Sequence, residues 1–439
     1  MKDFFNSGKT LDVKFRLSQL KTLKRALIEN EDKIYSALYR DLHKSKQESF
    51  LAEIFMVVKE INFFLKKLKK LSKPKRVKAG LENQTGRAYI YPEPYGVVLI
   101  ISPWNYPVNL SLIPLVGAIA AGNCAVLKPS EYSENVSALL KDMISRYFPE
   151  NYIKVVTGDA EVSKKLLEYD FDYIFFTGSQ KVGKYVMKKA SEKLIPVTLE
   201  LGGKNPVIVD STCDIKLAAK RIAWGKTLNA GQTCISPDYL LIDRKIKEEF
   251  LTLFKNYLNE FGKYMSHIIN ERHVERLSKL LNSTKAKILC GGSFKGKKLE
   301  PTVVDKVPLD DILMEDEIFG PILPVITFDD KYKVFDVISK HPYPLSLYVF
   351  SSDKGYIKKI ISKVQAGGIS INDTITHFVP EYLPFGGIKR SGIGSYHGKY
   401  SFDTFSHYKP VFIKGKFELN TKYPPYKGIE ILKKFFMRR

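Results

Sequence analysis

Hydrophobic residues recur at three- and four-residue steps through the first part of the chain, which is the spacing of one helix face. The clearest run comprises Leu17, Leu20, Leu23 and Leu27. This pattern predicts amphipathic helices over residues 11–72, ended by Lys73 and Pro74. Residues 88–95 alternate large and small side chains. Their prolines favour an edge strand, because proline cannot donate to a central ladder.

From residue 96, short apolar runs alternate with amphipathic segments. The predicted strands are 97–101, 123–129, 153–158 and 172–178, and the predicted helices are 108–121, 133–147, 161–168 and 180–193. This alternation predicts an α/β protein with a doubly wound parallel sheet that binds a nucleotide at its strand ends. A similar alternation from 206–210 to about residue 375 predicts a second α/β domain. The length of 439 residues fits two or three domains.

The composition, 44% hydrophobic and 27% charged, is that of a soluble globular protein. The N-terminus has no apolar signal core, and the apolar region 97–127 contains prolines and asparagines, which favours a buried segment over a membrane span. The cysteines have neither metal-ligand nor CxxC spacing; they are Cys124, Cys213, Cys234 and Cys290. We therefore expect a cytoplasmic protein without a metal site.

The net charge of +23 includes eight basic residues and no acid between 61 and 80. A nucleic-acid or anionic membrane surface is one interpretation, and solvated lysine-rich faces are the favoured one. The end of the chain places Ile429, Leu432, Phe435 and Phe436 among basic residues. Contact of this tail with a membrane surface is a further alternative.

Two segments combine a reactive side chain with glycines: LELGGKNP at 199–206 and NAGQTCISP at 229–237. The thiolate of Cys234 could attack a carbonyl, and Glu200 could take up its proton directly or through a water. Glycines let backbone amides approach a reacting oxygen. Alone, these segments fit a catalytic cysteine and a buried structural cysteine equally well.

Other loops offer ligand contacts. FFTGSQKVGK at 175–184 turns from a strand into a helix, which suits a pyrophosphate, although a helix cap at Ser179 explains it as well. VLKPSEYS at 126–133 suits a ribose, or an ordinary helix start capped by Ser130 or Ser133.

The loop ISPWNYP holds Asn105 between prolines, as a rigid oxyanion donor or as an asparagine that bonds local backbone. The segment EDEIFGP offers Glu317 and Phe319, whose chemistry is not evident alone.

In this order, the motifs PWNYP, FTGS, LELGGK, GQTC, EIFGP and PFGG resemble the aldehyde dehydrogenase superfamily over about residues 90–425. The early helix and the segment SGIGSYHGKYSFDTFSH resemble its class 3 branch, which includes fatty and aromatic aldehyde dehydrogenases. The resemblance implies that Cys234 is the nucleophile, Glu200 the general base and Asn105 the oxyanion donor. The implied cofactor positions are Lys128, Ser130, Glu131, Thr177, Gly178, Ser179, Gly183, Glu317 and Phe319.

The resemblance also implies how the chain divides into domains. A Rossmann-like dinucleotide-binding domain is expected over 1–79 and 97–202, and an α/β catalytic domain over 203–380. A small β oligomerisation element at 80–96 and 400–425 usually makes a homodimer. Residues 426–439 form a basic tail. Membrane-bound relatives carry a hydrophobic C-terminal span that this tail does not match, so surface association is left open.

The expected reaction is NAD(P)-dependent oxidation of an aldehyde to the acid through a cysteine thioester. NAD is the preferred cofactor because Glu131 would repel a 2′-phosphate, although class 3 relatives also use NADP. The expected substrate is a small molecule, an apolar aldehyde with a medium- or long-chain aliphatic or aromatic tail, and no specific nucleic acid is expected as a partner. The aromatic residues expected near it are Trp104, Tyr106, His377, Phe378 and Tyr382. The alternatives are a CoA-acylating enzyme and a non-catalytic binding protein on the same fold.

Overall fold

A computed structural model gives the structure of the protein for residues 1–80, 83, 86–416, 423–425 and 428–437. The chain begins with helices α1 (Lys2–Asn6), α2 (Val13–Glu29), α3 (Glu31–Leu42), α4 (Lys46–Ser49) and α5 (Phe55–Leu71). A π-helical turn at Phe50–Ile54 joins the last two. The predicted helical block is therefore several helices, and the break after α3 occurs where His43 adopts a left-handed conformation.

The region predicted to alternate does so. Its elements are β1 (Lys75–Val77), β2 (Arg87–Pro94), β3 (Val97–Ile101), α6 (Asn109–Ala121), β4 (Cys124–Lys128), α7 (Glu134–Tyr147), β5 (Ile153–Val155), α8 (Ala160–Leu167), β6 (Tyr173–Gly178), α9 (Gln180–Ser191) and β7 (Val197–Leu201). The prediction of an α/β fold is confirmed, and β3 has the predicted bounds. Strand β5 is shorter than predicted.

The second half continues in the same manner. Its elements are β8 (Pro206–Val209), α10 (Ile215–Thr227), β9 (Tyr239–Asp243), α11 (Lys247–Phe261), α12 (Glu271–Ser283), β10 (Lys287–Cys290), β11 (Phe294–Lys295), β12 (Lys298–Leu299), β13 (Thr302–Asp305), α13 (Ile312–Glu315), β14 (Ile322–Phe328), α14 (Val334–Lys340), β15 (Ser346–Phe350), α15 (Lys354–Lys363), β16 (Gly368–Ile371), β17 (Gly392–Ile393), α16 (Lys399–Thr404), β18 (Ser406–Ile413) and α17 (Ile429–Phe436).

The first large sheet has the strand order β17-β7-β6-β3-β4-β5 and is parallel except for β17. Strand β3 leads through α6 to β4 on one side, and β6 leads through α9 to β7 on the other. The carboxyl ends of β3 and β6 therefore flank a topological switch point, where open α/β sheets bind their ligands. Asn105 follows β3, and Ser179 follows β6.

The second large sheet has the order β10-β13-β14-β9-β8-β15-β16 and is parallel except for β10. Its strands are apolar on both faces, as a covered parallel sheet requires. The segments that enter β8, β9 and β14 carry Lys204, Cys234 and Glu317 respectively. These residues are thus placed at the amino edge of this sheet.

A small antiparallel sheet pairs β1 with β2 and β2 with β18. The edge position predicted for 88–95 is therefore wrong, since β2 is the central strand; its prolines at 92 and 94 lie beyond the residues that pair with β1. Two strands fall outside the division drawn from the sequence. Strand β1 joins this small sheet although it precedes residue 80, and β17 joins the edge of the first large sheet although it follows residue 202. Both assignments depend on backbone pairing between segments that are distant in sequence.

The start of α7 is capped by a residue from another helix. Asp41 of α3 accepts hydrogen bonds from the backbone amides of Asn135, at 3.1 Å, and Val136, at 2.9 Å. Ser133 occupies the N-cap position without a cap hydrogen bond, and the Ser130 hydroxyl accepts from the Tyr132 amide instead, at 3.2 Å. The expected caps at Ser130 and Ser133 are therefore wrong, because a carboxylate from α3 supplies the acceptor.

Candidate functional site

The cysteine loop between α10 and β9 is held by side-chain hydrogen bonds. Asn229 and Ala230 both adopt left-handed conformations, which turn the chain sharply before Cys234. The Asn205 side chain donates to the carbonyl oxygens of Cys234, at 2.8 Å, and Ser236, at 3.1 Å. The segment that enters β8 thereby fixes the loop that carries the thiol.

Glu200 lies near the end of β7, beside Thr177 of β6 in the sheet register. Both side chains line the same cavity as Cys234. The Glu200 carboxyl is buried, and neither of its oxygens has a hydrogen-bond partner among the described residues; the same is true of the Thr177 hydroxyl. Burial raises the pKa of Glu200 well above its usual range. An acid with unused hydrogen-bonding capacity in a cavity is suited to act on a bound molecule or a water.

Asn105 is joined to the cysteine loop. Its side-chain amide donates to the carbonyl oxygen of Gln232 at 3.0 Å, two residues before Cys234. Its own carbonyl oxygen accepts from Lys44, at 2.7 Å, and from Asn229, at 2.8 Å. The structure therefore brings Asn105, Glu200 and Cys234 into one region.

Lys128 and Glu131 lie where β4 ends. The Lys128 ammonium is buried and donates to the carbonyl oxygen of Pro129, at 3.0 Å, and to Glu131, at 3.4 Å. Burial lowers the pKa of Lys128. The Glu131 carboxyl is about one-third exposed, so it has room for a further donor.

The turn from β6 into α9 serves packing as well. The Ser179 hydroxyl accepts from the Val182 amide at 3.4 Å, which is the expected helix cap. A methyl group on Gly183 would lie 2.6 Å from a terminal methyl of Leu201, so the Leu201 side chain would have to shift to admit it and α9 packs closely on β7 here. Gly178 ends β6 directly before this cap. An anion at this helix start would meet the amides that the cap leaves free.

Glu317 lies directly against Gly202 of the LELGGK segment, since a methyl group there would overlap the Glu317 carboxylate. Burial and the charge of Asp238 raise the pKa of Glu317 well above its usual range. Phe319, in a left-handed conformation, packs edge-on against Trp104 at 5.4 Å between ring centroids. The two motifs thus meet side by side.

Lys204 and Asp238 fix the Glu317 segment, and no role was predicted for either. The buried Lys204 ammonium donates to Asp238 at 2.6 Å and to the carbonyl oxygens of Leu313 and Asp316, at 2.7 and 2.9 Å. Asp238 in turn accepts from the Ile318 amide at 3.0 Å. The position of Lys204 directly after the two glycines was the only signal in the sequence.

The cavity has a volume of about 450 Å³ and a largely apolar lining. Its apolar lining residues include Leu51, Phe55, Met56, Trp224, Phe261 and Met265. The first three come from the N-terminal helices, whose spacing predicted only a helix face. Hydrophobic spacing does not distinguish a core position from a cavity wall.

Of the aromatic residues expected near the substrate, Tyr106 and Phe378 line the cavity. The other three do not line it. Trp104 packs against Phe319 and His273, the His377 ring nitrogen lies 3.0 Å from the Ser346 hydroxyl, and Tyr382 is 67% exposed. Neighbouring residues of a loop point to different sides, and adjacency to a motif does not fix their direction.

The family model described as "Aldehyde dehydrogenase family" matches residues 2–411. The chain belongs to the aldehyde dehydrogenase family. It is 46% identical to 4,4'-diaponeurosporen-aldehyde dehydrogenase of Staphylococcus aureus, over 99% of this chain and 97% of the relative. It is 42% identical to human aldehyde dehydrogenase family 3 member B1, over 97% of this chain and 93% of the relative. The class 3 resemblance is thereby confirmed.

Solved structures agree. One described as the substrate-bound state of Staphylococcus aureus AldH has a TM-score of 0.96 and 45% identity, over 99% of this chain and 97% of that chain. An indole-3-acetaldehyde dehydrogenase in complex with NAD⁺ has a TM-score of 0.87 and 26% identity, over 94% of this chain and 87% of that chain. This protein is an aldehyde dehydrogenase, an oxidoreductase that uses NAD(P) to oxidise aldehydes. Among its described helices, none is both long and apolar enough to span a bilayer.

The reactivity of Cys234 is expected to rise steeply with pH. Burial, followed by the charges of Glu317 and Glu200, raises the pKa of this thiol well above its usual range. In the cofactor-free enzyme, alkylation of Cys234 by iodoacetamide should therefore accelerate about tenfold per pH unit between about pH 7 and 9. Mass spectrometry of the peptide gives the rate, with buried Cys124 as an internal control. A plateau below about pH 8 would contradict this prediction.

Proposed function

We propose that Cys234 is the nucleophile of the aldehyde dehydrogenase, Glu200 the base that activates water, and Asn105 the side-chain donor of the oxyanion hole. One observation carries the proposal. An acid without a partner among the described residues and a thiol line the same apolar cavity, and the amide of Asn105 is bonded to the thiol's loop. The nucleophile and the base thus share one cavity, and the donor lies beside it, bonded to the loop two residues before the thiol.

The chemistry begins when the Cys234 thiol loses its proton to water and the resulting thiolate adds to the aldehyde carbon, which forms a thiohemiacetal oxyanion. The resulting oxyanion accepts from the Asn105 amide and the Cys234 backbone amide. Loss of the aldehyde hydrogen as a hydride leaves a thioester on Cys234. Glu200 then removes a proton from water, the hydroxide attacks the thioester carbon, and the acid departs as the thiol re-forms.

Several residues are suited to hold a dinucleotide. When bound, the nicotinamide supplies the hydride acceptor. The buried Thr177 hydroxyl at the end of β6, which has no hydrogen-bond partner among the described residues, and the switch point at β3 and β6 fit such a group. We assign Lys128, Ser130 and Glu131 to the adenosine ribose, Thr177, Gly178, Ser179 and Gly183 to the pyrophosphate turn, and Glu317 and Phe319 to the nicotinamide ribose. Thr177, however, lines the substrate cavity, so its contact is less direct.

NAD is the proposed preferred cofactor, with NADP as a second substrate. The Glu131 carboxyl beside the strand end would accept from ribose hydroxyls and repel a 2′-phosphate. Lys128, bonded to that carboxyl, offsets part of the repulsion. A structure described as a GapN from Methanocaldococcus jannaschii with NADP, at a TM-score of 0.84, shows that relatives with this fold also accept the phosphate.

The proposed substrate is an apolar aldehyde. The cavity around Cys234 presents mostly apolar side chains, which favour an aliphatic or aromatic tail. The carotenoid-type name of the Staphylococcus aureus relative points in the same direction. Retention of Glu200 disfavours transfer of the acyl group to CoA, since a base for water is then unnecessary.

We propose a homodimer formed through the small sheet. Among the described residues, strand β18 pairs with β2 on one side only, and unpaired strand edges invite a further strand. Tyr408, Phe412 and Ile413 expose apolar surface on β18. Membrane contact by the tail stays a prediction. Of that tail, helix α17 is described, and the side chains of Leu432, Phe435 and Phe436 lie outside the described residues.

Replacement of Glu200 by glutamine should separate the two chemical steps. The variant should release one equivalent of NADH per active site in a burst, because thiohemiacetal formation and hydride loss do not need the base. Its steady-state rate should then fall at least about 10²-fold. Stopped-flow absorbance measures both phases, and Cys234→Ala should show neither. Normal steady-state turnover of either variant would refute that residue's assigned role.

Catalytic efficiency should increase with aldehyde chain length. Each methylene buried in the cavity contributes about 0.8 kcal/mol, so kcat/KM should rise about three- to fourfold per carbon until the cavity is filled. A series of straight-chain aldehydes with benzaldehyde measures this, and added CoA should leave the free acid as product. An optimum at short polar aldehydes would overturn the substrate proposal, and an acyl-CoA product would favour the alternative enzyme.

A charge on β18 should weaken the dimer. Ile413 is 51% exposed on this strand, and Ile413→Lys should raise the dimer dissociation constant at least about tenfold, since a buried unpaired charge is costly. Analytical ultracentrifugation measures the constant. Tyr169→Lys, which replaces a residue that is 66% exposed after α8, serves as the matched control. Equal effects, or a monomeric parent protein, would contradict the proposed interface.

A further inference from the structure

A buried ion pair lies directly behind the Asn105 loop. The side chains of Lys44 and Glu53 are both fully buried, with 2.7 Å between the ammonium nitrogen and a carboxylate oxygen. The same ammonium donates to the Asn105 carbonyl oxygen, also at 2.7 Å. One charged group thus links the N-terminal helices to the residue assigned as the oxyanion donor.

Lys44 also contacts the next residue of the loop. Its ammonium lies 4.0 Å from the centroid of the Tyr106 ring, within cation–π range. The Tyr106 hydroxyl lies 2.7 Å from that of Thr233, the neighbour of Cys234. Lys44 therefore contacts both Asn105, through its carbonyl oxygen, and Tyr106, through its ring.

Glu53 holds the far end of the loop. Its second oxygen accepts from the backbone amides of Val108, at 3.1 Å, and Asn109, at 2.8 Å, where α6 begins. A carboxylate at a helix start is favoured by the free amides and by the helix dipole. The loop from Asn105 to Asn109 is thus held at both ends by a single ion pair.

A second carboxylate on the same segment holds the cysteine loop. Glu48 accepts from the Asn229 amide at 2.9 Å, and Asn229 donates to the Asn105 carbonyl. Glu48 and Glu53 are five residues apart, a spacing that would place them on different sides of an α-helix. The π turn at Phe50–Ile54 inserts an extra residue, and both carboxylates reach the loops.

We propose that Lys44 and Glu53 are positioning residues for catalysis, which fix the Asn105 amide against the cysteine loop. The proposal rests on the proposed role of Asn105 as the oxyanion donor. The pair touches neither the assigned nucleophile nor the assigned base, and it acts through the backbone of residues 105–109. An amide donor contributes fully only when it is held in place before the charge develops.

A buried pair elsewhere in the chain serves as a control for the destabilisation that any such substitution causes. Lys247, at the start of α11, lies 2.7 Å from Asp305 at the end of β13. Neither residue lines the cavity around Cys234. Removal of one member of a buried pair leaves an unpaired charge and destabilises a protein in either case. A role in positioning should therefore distinguish the two pairs by turnover and not by stability.

The first test compares Lys44→Met with Lys247→Met. Both variants should lower the melting temperature. At a temperature where both are folded, Lys44→Met should lower kcat about 10- to 100-fold, which is less than or comparable to the loss of a whole donor. Its KM for NAD should stay within about twofold of the parent value, and Lys247→Met should retain kcat within about twofold. Retention of kcat within about threefold by Lys44→Met, or an equal loss in Lys247→Met, would overturn the proposal.

A double-mutant cycle with Asn105→Ala shows whether the effect passes through the amide. In the Asn105→Ala background, Lys44→Met should lower kcat by no more than about threefold, because the donor to be positioned is gone. The same factor in both backgrounds would overturn the proposal and leave the role of Asn105 intact. Normal kcat in Asn105→Ala alone would instead refute the oxyanion assignment, and this inference with it.

A second variant covers the case in which Lys44→Met does not fold. The double substitution Lys44→Met/Glu53→Gln removes both charges of the pair, and the glutamine oxygen can still accept from the amides of Val108 and Asn109. It should fold and show the same loss of kcat as expected for Lys44→Met. Turnover within about threefold of the parent enzyme would overturn the proposal.

Discussion

The carboxyl edge of the six-stranded sheet meets the amino edge of the seven-stranded sheet, and the candidate site lies along this seam. Asn105 follows β3 and bonds to the loop before β9, while Gly202 after β7 lies against Glu317 before β14. Each contact joins a residue of one sheet to a residue of the other. The reactive groups therefore depend on how the two sheets are docked, and neither sheet holds a complete site by itself.

Buried lysines hold the loops along this seam. Lys204 ties Asp238 to the segment before Glu317, and Lys44 ties Glu53 to the Asn105 loop. The Lys204 ammonium donates to one carboxylate and two backbone carbonyls, which uses all three of its N–H groups. The Lys44 ammonium donates to one carboxylate and one carbonyl and lies over the Tyr106 ring. A buried pair of this kind adds little net stability compared with apolar packing. Its contribution is to geometry, because one ammonium that donates to several acceptors fixes their positions relative to one another.

The sequence was sufficient for local elements and for the motifs. The apolar run of β3 is long enough to define its own bounds, and the candidate residues Asn105, Glu200 and Cys234 come together as expected. The sequence did not predict contacts between side chains that are distant along the chain. Asp41 caps a helix that begins more than ninety residues later, and Lys44 reaches Asn105 across 61 residues, with no spacing rule to reveal either contact. Trp104 shows the converse, because its position beside Asn105 did not determine which way its ring points.

The π turn at Phe50–Ile54 lies between two helical segments that must face different neighbours. Downstream, α5 must present Ile61, Phe64 and Leu68 to the core, and upstream the chain must present Glu48 to the cysteine loop. One extra residue changes the phase of the helix by about 100°. Deletion of that residue would leave the hydrophobic face of α5 packed on the core. It would rotate Glu48 away from the amide of Asn229. A regular α-helix could either pack α5 on the core or bring Glu48 to the cysteine loop. The π turn allows both contacts.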